Sequence, residues 1–532
     1  MIYYLSLREH IPCRDYWDYG ILECLNMDGK EVRTLPVLDS AVVVLPARSH
    51  AAYEDRLNAQ LSGIKNVVLF LMGDEEAQFD VDKIKHDSIN IWVQNPHMGK
   101  HDAYHKLGTG YTPQSQIILP TLKPINKRGV FFAGQITHQR REELQRVLKH
   151  YKNTMKGDVD FHPSAGFTQG LKPQEYYVGM VKAIVAPAPS GAIIPDSFRL
   201  FEALESMTIP IADQRCANGN VLEYWDWLFD GETPFYKVVD WNRLPSLVNE
   251  ILANYPANLH KQTAWWLMWK RNFRNKVKDQ LGLEQDKITV IIPTSVLPSH
   301  PSTAIIDQTI KDIRTHLPTS EIILQIDGLR DEQTHRKVEY NEYKNTILWK
   351  CLHEWDNVLP VVFGSLHHQS GMLRETIDLV RSPLVLYVEG DAPLTPDREI
   401  DWNKCINFIL DGKANTIRFH HENVIPVDHL PLIIGEVDEG FLKTIQWSQR
   451  PNLSTKMYYK EVILPTLPMA NFIEDTFHGV VQDDFNVYGI TGWNKHRLWI
   501  YHPDGGIQRS YTTDGRAGGK KYTSDDEAWG LV

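Results

Sequence analysis

The chain has 532 residues, 42% of them hydrophobic and 23% charged, with a formal net charge of −11. That length exceeds one ordinary hydrophobic core and predicts about three compact units of roughly 100 to 250 residues each, while the composition excludes disordered, collagen-like and membrane-embedded classes. The acidic balance opposes nucleic-acid binding through overall charge and leaves only a local basic patch to achieve it. The longest apolar runs, Ala41 to Pro46 and Val67 to Met72, fall far short of the roughly 20 residues of a membrane-crossing helix. The opening MIYYLSLREH lacks a basic segment followed by an apolar one, so the cytoplasm is the expected compartment. Cys13, Cys24, Cys216, Cys351 and Cys405 stand apart without a CxxC pair, which predicts free thiols rather than disulfides or a thiolate metal site.

In chain order, AVVVLP (41–46), NVVLFLMG (66–73) and SINIWVQNP (88–96) are apolar runs separated by polar, helix-like stretches, the pattern of a parallel α/β sheet. His101 and His105 lie four apart nearby, but no acidic residue stands in register to complete a metal site. Asp15, Trp17 and Asp18 (CRDYWDYG) offer an acceptor-facing loop or, for Trp17, core packing. A proline-punctuated stretch, Pro120 to Pro124, leads into a second Rossmann-like unit. Its elements are a strand RGVFFAG (128–134), a helix from His138 to His150, a strand AIVAPAP (183–189), a helix SFRLFEALES (197–206) and a strand TIPIAD (208–213). AWWLMWKRNFRNKVK (264–278) spaces Trp265, Met268, Trp269 and Phe273 as an amphipathic helix closing this half. A polar linker, 280–286, precedes KITVIIPTS (287–295), a buried strand with a proline stop. A third α/β unit follows, with a strand IILQIDG (322–328), a helix near 371–381 and a strand LVLYVEGD (384–391). The expected units are therefore 1–125, 126–280 and 287–532, and only the final SDDEAWGLV reads as a solvated tail.

Glu389-Gly390-Asp391 follows the apolar run LVLYV, so its carboxylates emerge at the carboxyl end of a parallel strand, where open α/β sheets place their ligands. Hard cations prefer such oxygens, and the glycine permits close approach of a metal or phosphate; a plain strand-ending turn is the alternative. Two adjacent acids in NFIED, Glu474 and Asp475, supply candidate general bases.

From VIIPTS through Asp327 to EGD, over about residues 287 to 522, the second half resembles family 2 glycosyltransferases of the GT-A fold. The resemblance implies that Pro293, Thr294, Ser295 and Asp327 embrace a nucleotide, although Asp327 in IDG also suits a turn. It further implies that Gly371 and Arg374 lie on a helix before the metal strand, with Arg374 facing phosphate or base, and that Asp475 is the base with Glu474 in reserve. His502 is implied as a third metal ligand beside Glu389 and Asp391. Arg509, with Ser510, Tyr511 and Arg516, is Gly-flanked and basic, which suits a loop closing over a diphosphate or an ordinary surface loop. The single acid after the second strand, and Glu-Gly-Asp in place of Asp-x-Asp, depart from the family pattern.

APAPSGAIIPDSFRLFEALESMTIPIAD, within about residues 131 to 213, resembles the nucleotide-binding region of exostosin-like GT-B transferases. That likeness implies Ser197 and Arg199 on a diphosphate, Glu202 on a ribose, and Gly134 and Arg140 near sugar phosphates. Together the two resemblances imply an α/β chain in which a GT-B-like pair of Rossmann-type units precedes a GT-A domain. The implied activity is transfer of a sugar from a UDP-linked donor to a hydroxyl acceptor (glycan, protein or modified nucleic acid), inverting and assisted by Mn2+ or Mg2+ in the second half. Two alternatives are a non-catalytic first half that binds the acceptor, and a phage-type enzyme that glycosylates hydroxymethylated DNA bases through the basic, Trp-rich stretch Trp265 to Lys278.

Overall fold

The computed structural model describes residues 1–8, 17–123, 127–166, 169–191, 193–503 and 505–513. Asp15 and Arg516 lie outside these residues, as do the side chains of Trp17 and Asp18. The chain divides into two compact units, Met1–Glu284 with Leu352–Glu354, and Gln285–Cys351 with Trp355–Val532.

The first unit holds two all-parallel sheets. One is ordered β2-β1-β3-β4-β5-β6, from strands β1 (Ile2–Leu5), β2 (Gly29–Val32), β3 (Ser40–Pro46), β4 (Asn66–Met72), β5 (Ile89–Gln94) and β6 (His105–Leu107). Strand side chains alternate between faces, and both faces of this sheet are covered, which is why β3 and β4 are apolar throughout. Val42 and Val44 enter one core with Phe70, whereas Val43 and Leu45 enter another with Leu69 and Leu71. The other sheet is ordered β11-β10-β9-β7-β8, from β7 (Val130–Gln135), β8 (Val159–Ser164), β9 (Val185–Ala188), β10 (Ile209–Asp213) and β11 (Tyr236–Val238). The helix Ala257–Gln280 turns Trp266 and Phe273 into the core that also receives Phe70 and Phe201.

The second unit has one mixed sheet, ordered β14-β13-β12-β15-β18-β16-β19-β17. Its strands are β12 (Ile288–Thr294), β13 (Ile322–Ile326), β14 (Val358–Val362), β15 (Leu384–Tyr387), β16 (Thr416–Arg418), β17 (Phe441–Lys443), β18 (Asn452–Thr455) and β19 (Leu498–Tyr501). Strands β12 to β15 run parallel and β18 runs antiparallel to both β15 and β16. The chain leaves β12 toward β13 and β14 on one side and returns to β15 on the other. The strand order thus reverses between β12 and β15, and the carboxyl ends of those two strands open onto a crevice. Among the described residues no helix is long and apolar enough to cross a membrane. Cys24, Cys216, Cys351 and Cys405 are free; Cys13 lies outside the described residues.

Candidate functional site

At the reversal point the backbone of β12 meets the turn after β15. Gly390 donates its N–H to the Pro293 carbonyl (3.1 Å), and a Cβ at Gly390 would stand 2.9 Å from that oxygen, so only glycine fits the approach. The Gly390 carbonyl accepts from Thr309 Oγ1 (2.7 Å), and Ala392 N–H closes the turn on the Glu389 carbonyl (3.0 Å). The Asp391 carbonyl accepts the N–H of Thr513 (2.7 Å).

A cleft of about 560 Å³ opens here, lined by Pro293, Thr294, Ser295, Asp327, Glu389 and Asp391. A second cavity of about 380 Å³ is lined by Arg418, His420, Gln446, Gln449, Glu474 and Asp475, among others. Gln369, Glu389, His421, Arg450 and Phe472 line both, so the strand-end acids and the NFIED acids border two adjoining cavities that share these residues.

The electrostatics of that junction follow from burial and neighbours. Burial, and then the Asp391 charge, push the Glu389 carboxyl up to about 7, while a hydrogen bond from Gln369 Nε2 (2.9 Å) and the Arg450 charge pull it down. Burial and the Arg450 charge hold the His421 imidazole below its ordinary range. Glu474 and Asp475 occupy the first turn of the helix Ile473–Tyr488, where the helix dipole favours negative charge. Glu474 Oε2 accepts the N–H of Gln449 (2.8 Å), whereas Asp475 is exposed to the cavity.

Several residues expected at the site have other settings. Asp327 is buried, and its carboxylate accepts three backbone N–H groups, from Gly328 (2.8 Å), His367 (2.8 Å) and His368 (3.0 Å). It therefore fixes the loop that walls the cleft, which combines the turn-forming and cleft-lining expectations. Arg374 donates Nη2 to the carbonyls of Leu464 and Leu467, so its positive end serves backbone rather than the cleft. Gly371 is a packing position, because a Cβ there would lie 2.8 Å from the Met469 carbonyl. Arg509 is buried against the Tyr501 ring (4.7 Å) and donates to the Glu399 (3.3 Å) and Ile507 (3.0 Å) carbonyls, which places it outside the lining of both cavities. His502 stands behind the cavity wall, its Nδ1 sharing a hydrogen bond with His420 Nε2 (2.9 Å), so the expected third metal ligand is not beside Glu389 and Asp391. Among the described residues no three His, Cys, Asp or Glu side chains converge as a metal cluster.

In the first unit the strand order reverses between β7 and β9, and Ser197 is the N-cap of the helix Phe198–Glu205. Its hydroxyl is buried without a hydrogen-bond partner, as are Ser190 Oγ, Asp196 Oδ1 and both ring nitrogens of His138. Arg199 donates Nε (3.1 Å) and Nη2 (2.7 Å) to the Ala133 carbonyl. A Cβ on Gly134, whose φ is +151°, would collide with that guanidinium at 1.8 Å, so the glycine makes room for the arginine. Glu202 is buried and accepts the hydroxyls of Tyr176 (2.7 Å) and Tyr177 (3.0 Å), an internal network instead of the expected ribose contact. Arg140 forms a buried bidentate pair with Asp213 (2.7 and 3.1 Å), away from solvent, in place of the expected sugar-phosphate contact. The Trp-rich helix is core as well, since Trp266 is fully buried, stacks on Trp269 (5.0 Å) and donates to Glu205 Oε1 (2.6 Å).

Sequence reasoning missed Gln369, Arg418, His421 and Arg450. None belongs to an apolar run ending in an acid, the one signal that exposed Glu389 and Asp391.

No family model and no curated protein matches this chain. Among solved structures, residues 1–349 of S. aureus TarS are similar at 13% identity, with 43% of this chain and 61% of that one covered and a TM-score of 0.26. The same TarS fragment in complex with UDP-GlcNAc is similar at 13% identity over 46% and 64% of the two chains, with a TM-score of 0.27. A UDP-glucose pyrophosphorylase complexed with UDP-glucose is similar at 10% identity over 44% and 96%, with a TM-score of 0.27. The chain thus spans less than two-thirds of the TarS chains it resembles, and likeness at these TM-scores leaves the fold and the site to rest on the chain's own α/β geometry.

Proposed function

We propose that the second unit is an inverting glycosyltransferase of GT-A type that moves a sugar from a UDP-linked donor to a hydroxyl acceptor. One observation carries the reading: the cleft at the β12/β15 reversal, bordered by Glu389 and Asp391, adjoins the cavity that presents Asp475, and Glu389 lines both. The donor belongs in the larger cleft and the acceptor in the smaller one, with the anomeric carbon at their junction. The acceptor oxygen bonds to that carbon as the carbon's bond to the diphosphate oxygen breaks. The electron pair leaves with the diphosphate and the hydroxyl proton passes to Asp475. Asp475 suits this role better than Glu474, whose carboxylate is engaged by the Gln449 N–H.

Glu389 and Asp391 suit a hard divalent cation in donor type, since each raises the cost of charging the other and a cation relieves that repulsion. Two carboxylates leave the remaining coordination to donor oxygens and water. A bound Mn2+ or Mg2+ would offset the charge of the departing diphosphate.

Hydrolysis of a panel of nucleotide sugars, with and without Mn2+, tests the reading. Release of the nucleotide from one donor, lost in Asp391→Asn, is expected; an inert panel at high enzyme concentration, with no UDP binding, overturns it.

A second reading concerns the first unit. The unpartnered polar atoms of His138, Ser190, Asp196 and Ser197 near the β7/β9 reversal favour a ligand there, and a diphosphate at the helix N-terminus beside Ser197 and Arg199 is the GT-B form of that idea. If Arg199→Ala leaves transfer intact while Asp475→Asn abolishes it, the first unit is a non-catalytic module.

A further inference from the structure

We propose that the 380 Å³ cavity is an acceptor subsite for a hydroxyl-bearing molecule with an anionic group of its own, phosphate or carboxylate, and that Arg418 seats that group. The proposal rests on the reading of the second unit as a transferase and adds the acceptor's chemical class.

Arg418 ends β16 opposite Asn452 of β18, and Arg450 stands two residues before Asn452, so neighbouring strands deliver two guanidinium groups to one cavity. Among the described residues, neither lies within ion-pair distance of a carboxylate. Burial lowers Arg418 to about 10, the Glu422 and Glu474 charges oppose that shift without an ion pair, and the Arg450 charge adds to it. The acids around it have other positions. Glu474 accepts the Gln449 N–H and Glu389 accepts the Gln369 amide. Glu422 and Asp475 are exposed at the rim.

The floor is also short of hydrogen-bond partners. Gln449 is buried with both amide atoms lacking a bond of ordinary geometry, and Gln446 Oε1 is likewise unpartnered. Gln446 and Gln449 line the cavity beside the arginines, and amides both donate and accept, which matches hydroxyls better than bare phosphate. A planar guanidinium holds a phosphate or carboxylate through paired N–H bonds. The cavity volume is at the small end of the range for ligand sites, enough for one sugar- or polyol-sized group. With the anion on the floor, a hydroxyl of the same molecule reaches Asp475 at the rim.

Calorimetric titration of the full chain with glycerol 3-phosphate, glucuronate and glycerol, and separately with UDP, tests this. The anionic probes are expected to bind and glycerol not. The stronger of the two identifies phosphate or carboxylate. Arg418→Ala should weaken that probe at least tenfold more than it weakens UDP, and Arg418→Lys, which keeps charge but loses the fork, should fall between. Because a buried arginine can matter for folding, the wild-type chain gives a second readout: the bound anionic probe should shield Arg418 from phenylglyoxal, followed by peptide mass, and glycerol should not. Equal binding of glycerol, no binding of either anion, or parallel loss of UDP and probe in Arg418→Ala overturns the proposal, the last by assigning Arg418 to the donor diphosphate. Protection by hydroxymethylated duplex DNA alone would also overturn it, in favour of a nucleic-acid acceptor. UDP binding without probe binding sinks the acceptor class and spares the transferase reading; probe binding through Arg418 without UDP binding does the reverse.

Discussion

Gln369 donates its side-chain amide to Glu389 Oε1 (2.9 Å) while its own carbonyl oxygen accepts the N–H of Ile473 (3.3 Å). One buried side chain therefore ties the carboxylate after β15 to the start of the helix that carries Asp475. The spacing between the strand-end acid and the candidate base is set by a residue that lies between them and holds both.

Gln369→Ala should lower kcat/KM for transfer by about 10- to 100-fold, the usual cost of removing a group that orients such a carboxylate. Gln369→Glu should be no better, because it places a third negative charge beside Glu389 and Asp391. Steady-state kinetics on both variants, with thermal melts to confirm folding, decide the matter; wild-type rates in Gln369→Ala would show that the link is idle.

Asp475→Asn should reduce turnover by about 10²- to 10⁴-fold while leaving donor binding close to unchanged, because general-base assistance is worth that much and the residue touches only the smaller cavity. Glu474→Gln should lose far less, since an amide oxygen can still accept the Gln449 N–H. A reversed order of the two effects in single-turnover assays would exchange their roles.

The site's legibility tracks its local chemistry. Strands β12 and β15 are buried runs that end abruptly in Pro293-Thr294-Ser295 and Glu389-Gly390-Asp391; pattern alone pointed to the second strand end and the family resemblance to the first, and both line the larger cleft. The partners of the arginines were not legible. Arg374, Arg509 and Arg140 look like ligand-seeking cations in sequence, and only the folded chain reveals that carbonyls and Asp213 occupy them. Arg418 was hidden for the opposite reason, because β16 is three residues long and presents no apolar run to mark a strand end. His502 and His421 differ by which one faces the cavity, a matter of side-chain direction that composition does not encode.

Trp266→Ala should destabilise the first unit by about 3–5 kcal/mol, the cost of deleting a large core aromatic, while Glu205 keeps its ion pair with Lys270 (2.7 Å). The same helix was the basis for a DNA-binding alternative, so retention of the wild-type chain on duplex DNA should be weak and vary little between 50 and 200 mM salt, a contrast with the roughly 10³- to 10⁵-fold change expected for a protein making several phosphate contacts. Steep salt-dependent retention would restore the alternative through some other surface.

Arg140→Ala should cost about 3–5 kcal/mol in urea unfolding, because it strands the buried Asp213 carboxylate. Replacing both partners by apolar residues of similar volume should recover most of that loss. If Arg140 instead gripped a donor phosphate, the single variant would weaken nucleotide binding with little change in the unfolding midpoint, and the double variant would restore no stability.

Asp196 gives the first unit a pH signature. Its Oδ2 accepts the Thr109 N–H (2.9 Å) and the Tyr224 hydroxyl (3.2 Å), but Oδ1 is buried with no donor, and burial lifts the carboxyl from 3.8 to about 7. The folded chain thus holds this proton more tightly than the unfolded chain does. The resulting stabilisation is complete below about 3.8 and is lost as pH rises through about 7. Asp196→Asn keeps an oxygen acceptor for Thr109 and Tyr224 and has no proton to lose. Its melting temperature should therefore gain on the wild type steadily as pH is raised from about 5 to about 8, with the two profiles running parallel above that range. Parallel profiles across the whole range would mean that Asp196 is already ionised at pH 5, and that some cation or ordered water supplies the partner its Oδ1 lacks.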